Sequence, residues 1–84
     1  MKIESFFPGR LRVSSHLFTR QENLDQIHEY VQSMDGIISI SGNSRTGSLT
    51  VVYDSSRITM PMLMNAKEEI ERLEQEQSQS RKSG

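Results

Sequence analysis

Phe7-Pro8-Gly9-Arg10-Leu11-Arg12-Val13 joins a turn signal to a strand signal, and the placement of every later element depends on how it is read. From Arg10 to Ser14 polar and apolar residues alternate, so Leu11 and Val13 face one side and both arginines the other. Upstream, Lys2-Ile3-Glu4-Ser5-Phe6 has the composition of a further strand, with Pro8-Gly9 as a turn or bulge between the two. A hairpin and one long bulged strand are both open. Pro-Gly favours a type II turn, whose twist suits a hairpin poorly, so the single bulged strand is the expectation.

Beyond Val13 the period changes from two to between three and four. Thr19 and Glu22 have the spacing of a capping box, which places a helix start near Arg20. Leu24, Ile27, Val31 and Met34 then form one apolar stripe, and Gly36 suits the left-handed residue that closes a helix. Ile37-Ile38-Ser39-Ile40-Ser41 and Leu49-Thr50-Val51-Val52-Tyr53 flank the turn-forming run Gly42 to Gly47 and predict a hairpin. A second helix follows, with Thr59 as cap, Pro61 in its first turn, and Leu63, Ala66, Ile70 and Leu73 as its buried stripe. Glu68 and Arg72 have the order of a favourable i,i+4 pair. From Gln75 onward the residues are polar and have nothing to bury, which predicts one domain over residues 1–74 and a disordered polar tail over 75–84.

The order β-α-β-β-α is a split βαβ unit, an α+β ferredoxin-like sandwich with two helices on one face of a small antiparallel sheet. Its final strand is missing or replaced by the N-terminal segment. The complete fold runs that strand beside Arg10–Ser14, so without it this strand becomes an edge open to pairing with another chain.

Composition narrows the functional classes. Eighty-four residues make one domain, and 33% hydrophobic content makes a small core. With no cysteine, disulfides and thiolate ligands are both excluded, and the expected compartment is the cytoplasm. No apolar run approaches the length of a membrane span, and the start of the chain lacks the pattern of a signal peptide. The net charge of −1 is uneven, with Lys2, Arg10, Arg12 and Arg20 early and five glutamates between positions 68 and 76. This polarity can orient a partner but is too weak for nucleic-acid binding.

Pro8-Gly9-Arg10-Leu11-Arg12, then Asp35-Gly36-Ile37, then Thr46-Gly47-Ser48-Leu49 leading to Tyr53-Asp54, resemble in order and spacing the heavy-metal-associated domains of copper chaperones and metal-pumping ATPases. The likeness is to the divergent branch in which Pro-Gly-Arg-x-Arg opens the first strand, and it covers roughly residues 7–73. It implies a ferredoxin-like fold and a role in metal transport or homeostasis. The metal-carrying branch places Cys-x-x-Cys between the first strand and first helix, where two thiolates take a soft ion. Here that loop reads Ser14-Ser15-His16-Leu17-Phe18-Thr19.

Three sets of side chains are candidates for chemistry. His16 is the sole potential metal ligand of that loop, and His28 is a boundary residue of the first helix. Met60, Met62 and Met64 resemble thioether runs that hold copper(I), yet on a helix positions 60 and 64 share a face and 62 points elsewhere, so gap-filling is their expected role. Arg10 and Arg12 project from one strand face and suit an anion or a partner. No nucleophile-base pair and no phosphate loop is recognisable, so no enzyme and no cofactor are expected. The expected function is a non-enzymatic interaction or regulatory module that self-associates or docks onto a larger partner through the edge of the Arg10–Ser14 strand or through the sheet face. A cysteine-free metal carrier using His16 and the three methionines, and an anion-binding domain using Arg10 and Arg12, are the alternatives.

Overall fold

The alternation at Arg10–Ser14 builds an interior strand, not an edge. The computed structural model describes residues 1–83, with side chains for residues 1–76. Its elements are β1 (Lys2–Phe7), β2 (Arg10–Ser14), a 3-10 helix (His16–Thr19), α1 (Gln21–Gln32), β3 (Ile37–Asn43), β4 (Ser48–Tyr53) and α2 (Met60–Ser83). One antiparallel sheet has the order β1-β2-β4-β3, with β2 paired to β1 on one side and to β4 on the other. This is the ferredoxin-like sandwich, with β1 standing where the final strand of the complete fold would lie.

The expected single bulged strand is therefore corrected to a hairpin. Phe7 pairs with Arg10 across Pro8-Gly9, and Gly9 adopts φ 90°, the left-handed value a type II turn needs at its second central position. The twist mismatch is tolerated because the turn is held from outside, by the Tyr53 N–H donating to the Gly9 carbonyl at 2.9 Å. A bulge does occur, between Ile3 and Ser5. With β1 in place, the Arg10–Ser14 edge proposed for self-association is occupied within the chain, and docking through it is corrected accordingly.

The core lies between the sheet and the two helices. Val13, Leu49, Val51 and Tyr53 from the sheet meet Leu24, Ile27 and Val31 from α1 and Ile70 from α2. Met34, Leu63 and Leu73 close the periphery as their spacing predicts. Leu17 and Phe18 sit at the centre, 1% and 0% exposed, carried there by the 3-10 helix that replaces the expected loop.

Three local expectations are corrected. Thr19 does not cap α1, because its hydroxyl donates to the His16 carbonyl, and Arg20 occupies the cap position without a side-chain capping hydrogen bond. Glu22 pairs with the Arg20 guanidinium at 2.6 Å. Arg72 pairs with Glu69, not Glu68, and Lys67 takes Glu71. The β3–β4 turn is shorter than its composition suggests: Gly42 and Asn43 belong to β3, and the Gly47 N–H closes the turn onto the Asn43 carbonyl at 2.9 Å. Gly36 does adopt φ 105°, and its carbonyl accepts from the Asp54 N–H at 2.7 Å. The expected boundary after residue 74 falls inside α2, and side chains from position 77 on lie outside the described residues.

Candidate binding face of the sheet

Strand parity sorts the sheet into a covered face and an open one. Val13, Leu49 and Val51 point to the helices, so Arg10, Arg12 and Ser14 on β2 and Ser48, Thr50 and Val52 on β4 share the other side. The register places Phe7 beside Arg10 and Ser5 beside Arg12 from β1. Ser39 and Ser41 extend the face along β3, opposite Val52 and Thr50. The result is two exposed guanidinium groups in a field of hydroxyls, with the exposed Phe7 ring at one end.

Arg10 and Arg12 form no ion pair among the described residues, whereas Arg20, Arg57 and Arg72 each have a carboxylate partner. The nearby acid, Glu4, accepts a hydrogen bond from the Ser14 hydroxyl at 2.9 Å. Arg12, Glu4, Ser5, Ser14, Thr46 and Ser48 line a shallow polar depression. A guanidinium presents a planar donor fork matched to carboxylate or phosphate oxygens, so this face is built to receive an anionic group.

The metal candidates fall in separate places. His16 is exposed and borders a depression with Met1, Ser15, Thr19, Gly47 and Glu74. Met62 packs against the core while Met60 and Met64 are 54% and 48% exposed, and Met62 and Met64 border a different depression with Pro61, Asn65 and Glu68. His28 lies with Gln21, Asp25 and Ile40 on a third. Among the described residues no three His, Cys, Asp or Glu side chains stand close enough to hold a metal ion.

Glu74 beside His16 is already engaged. Its carboxylate accepts from the Met1 ammonium at 2.9 Å and from the Ser15 hydroxyl. Burial raises the Glu74 pKa, but those two hydrogen bonds and the charges of the ammonium and His16 outweigh it and hold the carboxyl below its ordinary range. One imidazole, a few hydroxyls and an occupied carboxylate do not fit a soft metal ion.

The composition of the open face was only half visible in the sequence. Arg10 and Arg12 stand out, but Phe7, Ser48 and Thr50 join them only through the pairing register. Tyr53, the one aromatic of the middle strands, is buried on the covered face at 4% exposure and leaves the open face without a central stacking ring.

With that geometry in view, the comparisons with known proteins add one finding. The family description "Heavy metal associated domain 2" matches residues 1–84, and the chain belongs to this family of metal-associated modules. Neither the curated proteins nor the solved structures provide a match. No helix of the described residues is long and apolar enough to cross a membrane.

Proposed function

We propose that this heavy-metal-associated domain is a non-enzymatic docking module of metal transport or homeostasis, working in the cytoplasm, whose open sheet face binds an acidic segment of a larger protein. The observation that supports this reading is the pair Arg10 and Arg12, side by side on one exposed strand face and without ion-pair partners among the described residues. Phe7 and Val52 supply apolar contact beside the charges, and the hydroxyl rows accept and donate hydrogen bonds around them. The missing thiolates remove metal carriage by the usual route and leave recognition as the face's chemistry.

The test is a backbone-amide NMR titration with a glutamate-rich peptide, and with inorganic phosphate as a small-anion comparison. Saturable shifts along β2 and β4 that weaken with salt and vanish in the Arg10→Ala, Arg12→Ala variant are expected. Shifts elsewhere, or an unaltered response in that variant, would overturn the assignment.

A further inference from the structure

The outer edge of β1 offers backbone hydrogen bonds, apolar side chains and positive charge to one and the same neighbour. The Tyr53 N–H bonds to the Gly9 carbonyl and the Ser15 N–H to the Gly47 carbonyl, which sets the hydrogen-bonding phase of β2: its odd positions bond to β4 and its even positions to β1. Across the register, Lys2, Ser5 and Phe7 of β1 therefore bond inward to Ser14, Arg12 and Arg10, while Ile3 and Phe6, opposite Val13 and Leu11, turn their backbone groups outward. The bulge at Glu4 is no obstacle to a regular strand, because β2 already spans it with Leu11 and Val13.

The two sides of this edge differ in chemistry. Ile3 and Phe6 lie on the helix side with Leu11 and Val13, yet remain 49% and 45% exposed. Lys2 and Ser5 lie on the open side with Arg10 and Arg12, and Lys2, like the two arginines, has no ion-pair partner among the described residues. Glu4, the acid beside them, is turned to the Ser14 hydroxyl. Ser5, opposite Arg12, is too short to screen that guanidinium from a strand laid along β1, two strand spacings or about 10 Å from β2.

We infer that the acidic segment of the partner is recognised as an added β-strand, antiparallel to β1, in which acidic and apolar residues alternate. The inference rests on the acidic-segment reading of the sheet face. Partner residues opposite Ile3 and Phe6 take their outward backbone bonds, share their side of the sheet and are apolar. The residues before and between them fall on the open side, where one acid meets Lys2 and the next reaches Arg12 across Ser5. Charge selects this occupant over a second copy of the chain: Lys2–Phe7 holds one base and one acid, so it cannot supply the row of carboxylates that Lys2, Arg10 and Arg12 leave unmatched. The docked strand becomes the fifth of the sheet and shields Ile3 and Phe6 from water.

Chemical shifts and amide hydrogen exchange of the full chain test it against two octapeptides of equal composition, one alternating glutamate and valine, the other with all its glutamates before all its valines. The alternating peptide should shift β2 resonances saturably and slow exchange of the Ile3 and Phe6 amides, whereas the block peptide should shift β2 without that protection. Ile3→Pro removes an outward donor that the fold itself does not use. It should weaken the alternating peptide about tenfold and leave the block peptide unchanged, with circular dichroism confirming the fold; if the variant does not fold, exchange in the native chain decides alone. Shifts at Arg10 and Arg12 with the Ile3 and Phe6 amides exchanging as in the free chain overturn the added strand and leave the acidic-segment reading standing. Equal protection by both peptides, or a folded Ile3→Pro variant of undiminished affinity, does the same. No response to either peptide overturns both.

Discussion

The α-amino group of Met1 lies 2.9 Å from the Glu74 carboxylate, 73 positions away in the chain. This contact ties the start of β1 to α2, and Ser15 at the end of β2 donates to the same carboxylate. Glu74 is thereby a junction of three segments, joining α2 to the start of β1 and to the residue that follows β2.

Replacing Glu74 by alanine should cost about 1.5–3 kcal/mol, the range for hydrogen bonds to charged groups. The Met1 ammonium and Ser15 both lose their partner. Urea denaturation with an unchanged m-value would report this loss, and a midpoint equal to that of the native chain would contradict the assigned role.

Acid should act through the same residue. The folded Glu74 carboxyl titrates below its ordinary range, so its contribution is complete above about pH 4.3, the unperturbed value. It is lost as pH falls through the lowered folded value. Asp54, held down first by the Ser56 hydroxyl and then by the Ser56 N–H, has the same sign. The low-pH limb of a stability curve should be shallower in Glu74→Gln, and an identical limb would remove Glu74 from the account.

Two glycines should differ in what a methyl group does to them. At Gly36 a Cβ would meet Arg57 Cβ and Ile58 Cγ1 at 3.0 Å on a backbone with φ 105°, so strain and crowding add. Gly36→Ala is expected to cost about 2–3 kcal/mol. At Gly42 the backbone is unstrained and the obstacle is Leu24 Cδ2 at 2.9 Å, so Gly42→Ala should cost about 1 kcal/mol. Thermal melts that reverse this order would show that Leu24 is less able to yield than the loop around Arg57.

Because Met62 and Met64 border one depression and His16 another, replacing Met60, Met62 and Met64 together by leucine should leave copper(I) affinity unchanged. A competition titration against a chromogenic chelator under reducing conditions checks this. A large fall in affinity would restore the cysteine-free carrier.

Glu74 and Leu73 are the last α2 residues with described contacts to the rest of the fold. A chain ending at Glu76 should therefore melt within about 2 °C of the full chain, a shift well below that of 1 kcal/mol in a small domain. A larger drop would place the final residues in the folded unit and not in a dispensable tail.

The elements set by strict periodicity were readable from the residues alone. The Leu24, Ile27, Val31 stripe, the β3–β4 hairpin and the left-handed Gly36 all stand where spacing puts them. What was hidden depended on neighbours distant in sequence. Pro8-Gly9 closes a hairpin because Tyr53 holds Gly9 from β4. Thr19 has the pattern of a cap, yet a competing acceptor three residues back draws its hydroxyl away. Leu17 and Phe18 carry no periodic signal, being a short 3-10 turn, and still form the centre of the core. Neither Met1 nor Glu74 belongs to any motif, so their pairing had no local signature.

The hairpin of β1 and β2 also changes the order in which this architecture can be assembled. In the complete ferredoxin-like arrangement the strand beside the first one comes last, and its closure must span the whole chain. Here the same position is filled by a segment joined through two residues, so closing that half of the sheet costs little chain entropy. All four strands precede α2 in the chain, and the sheet can be complete while the final helix is still emerging from the ribosome. Growth at the C-terminal end is then free of any obligation to return to the sheet, which makes α2 the natural place for this domain to lengthen without refolding.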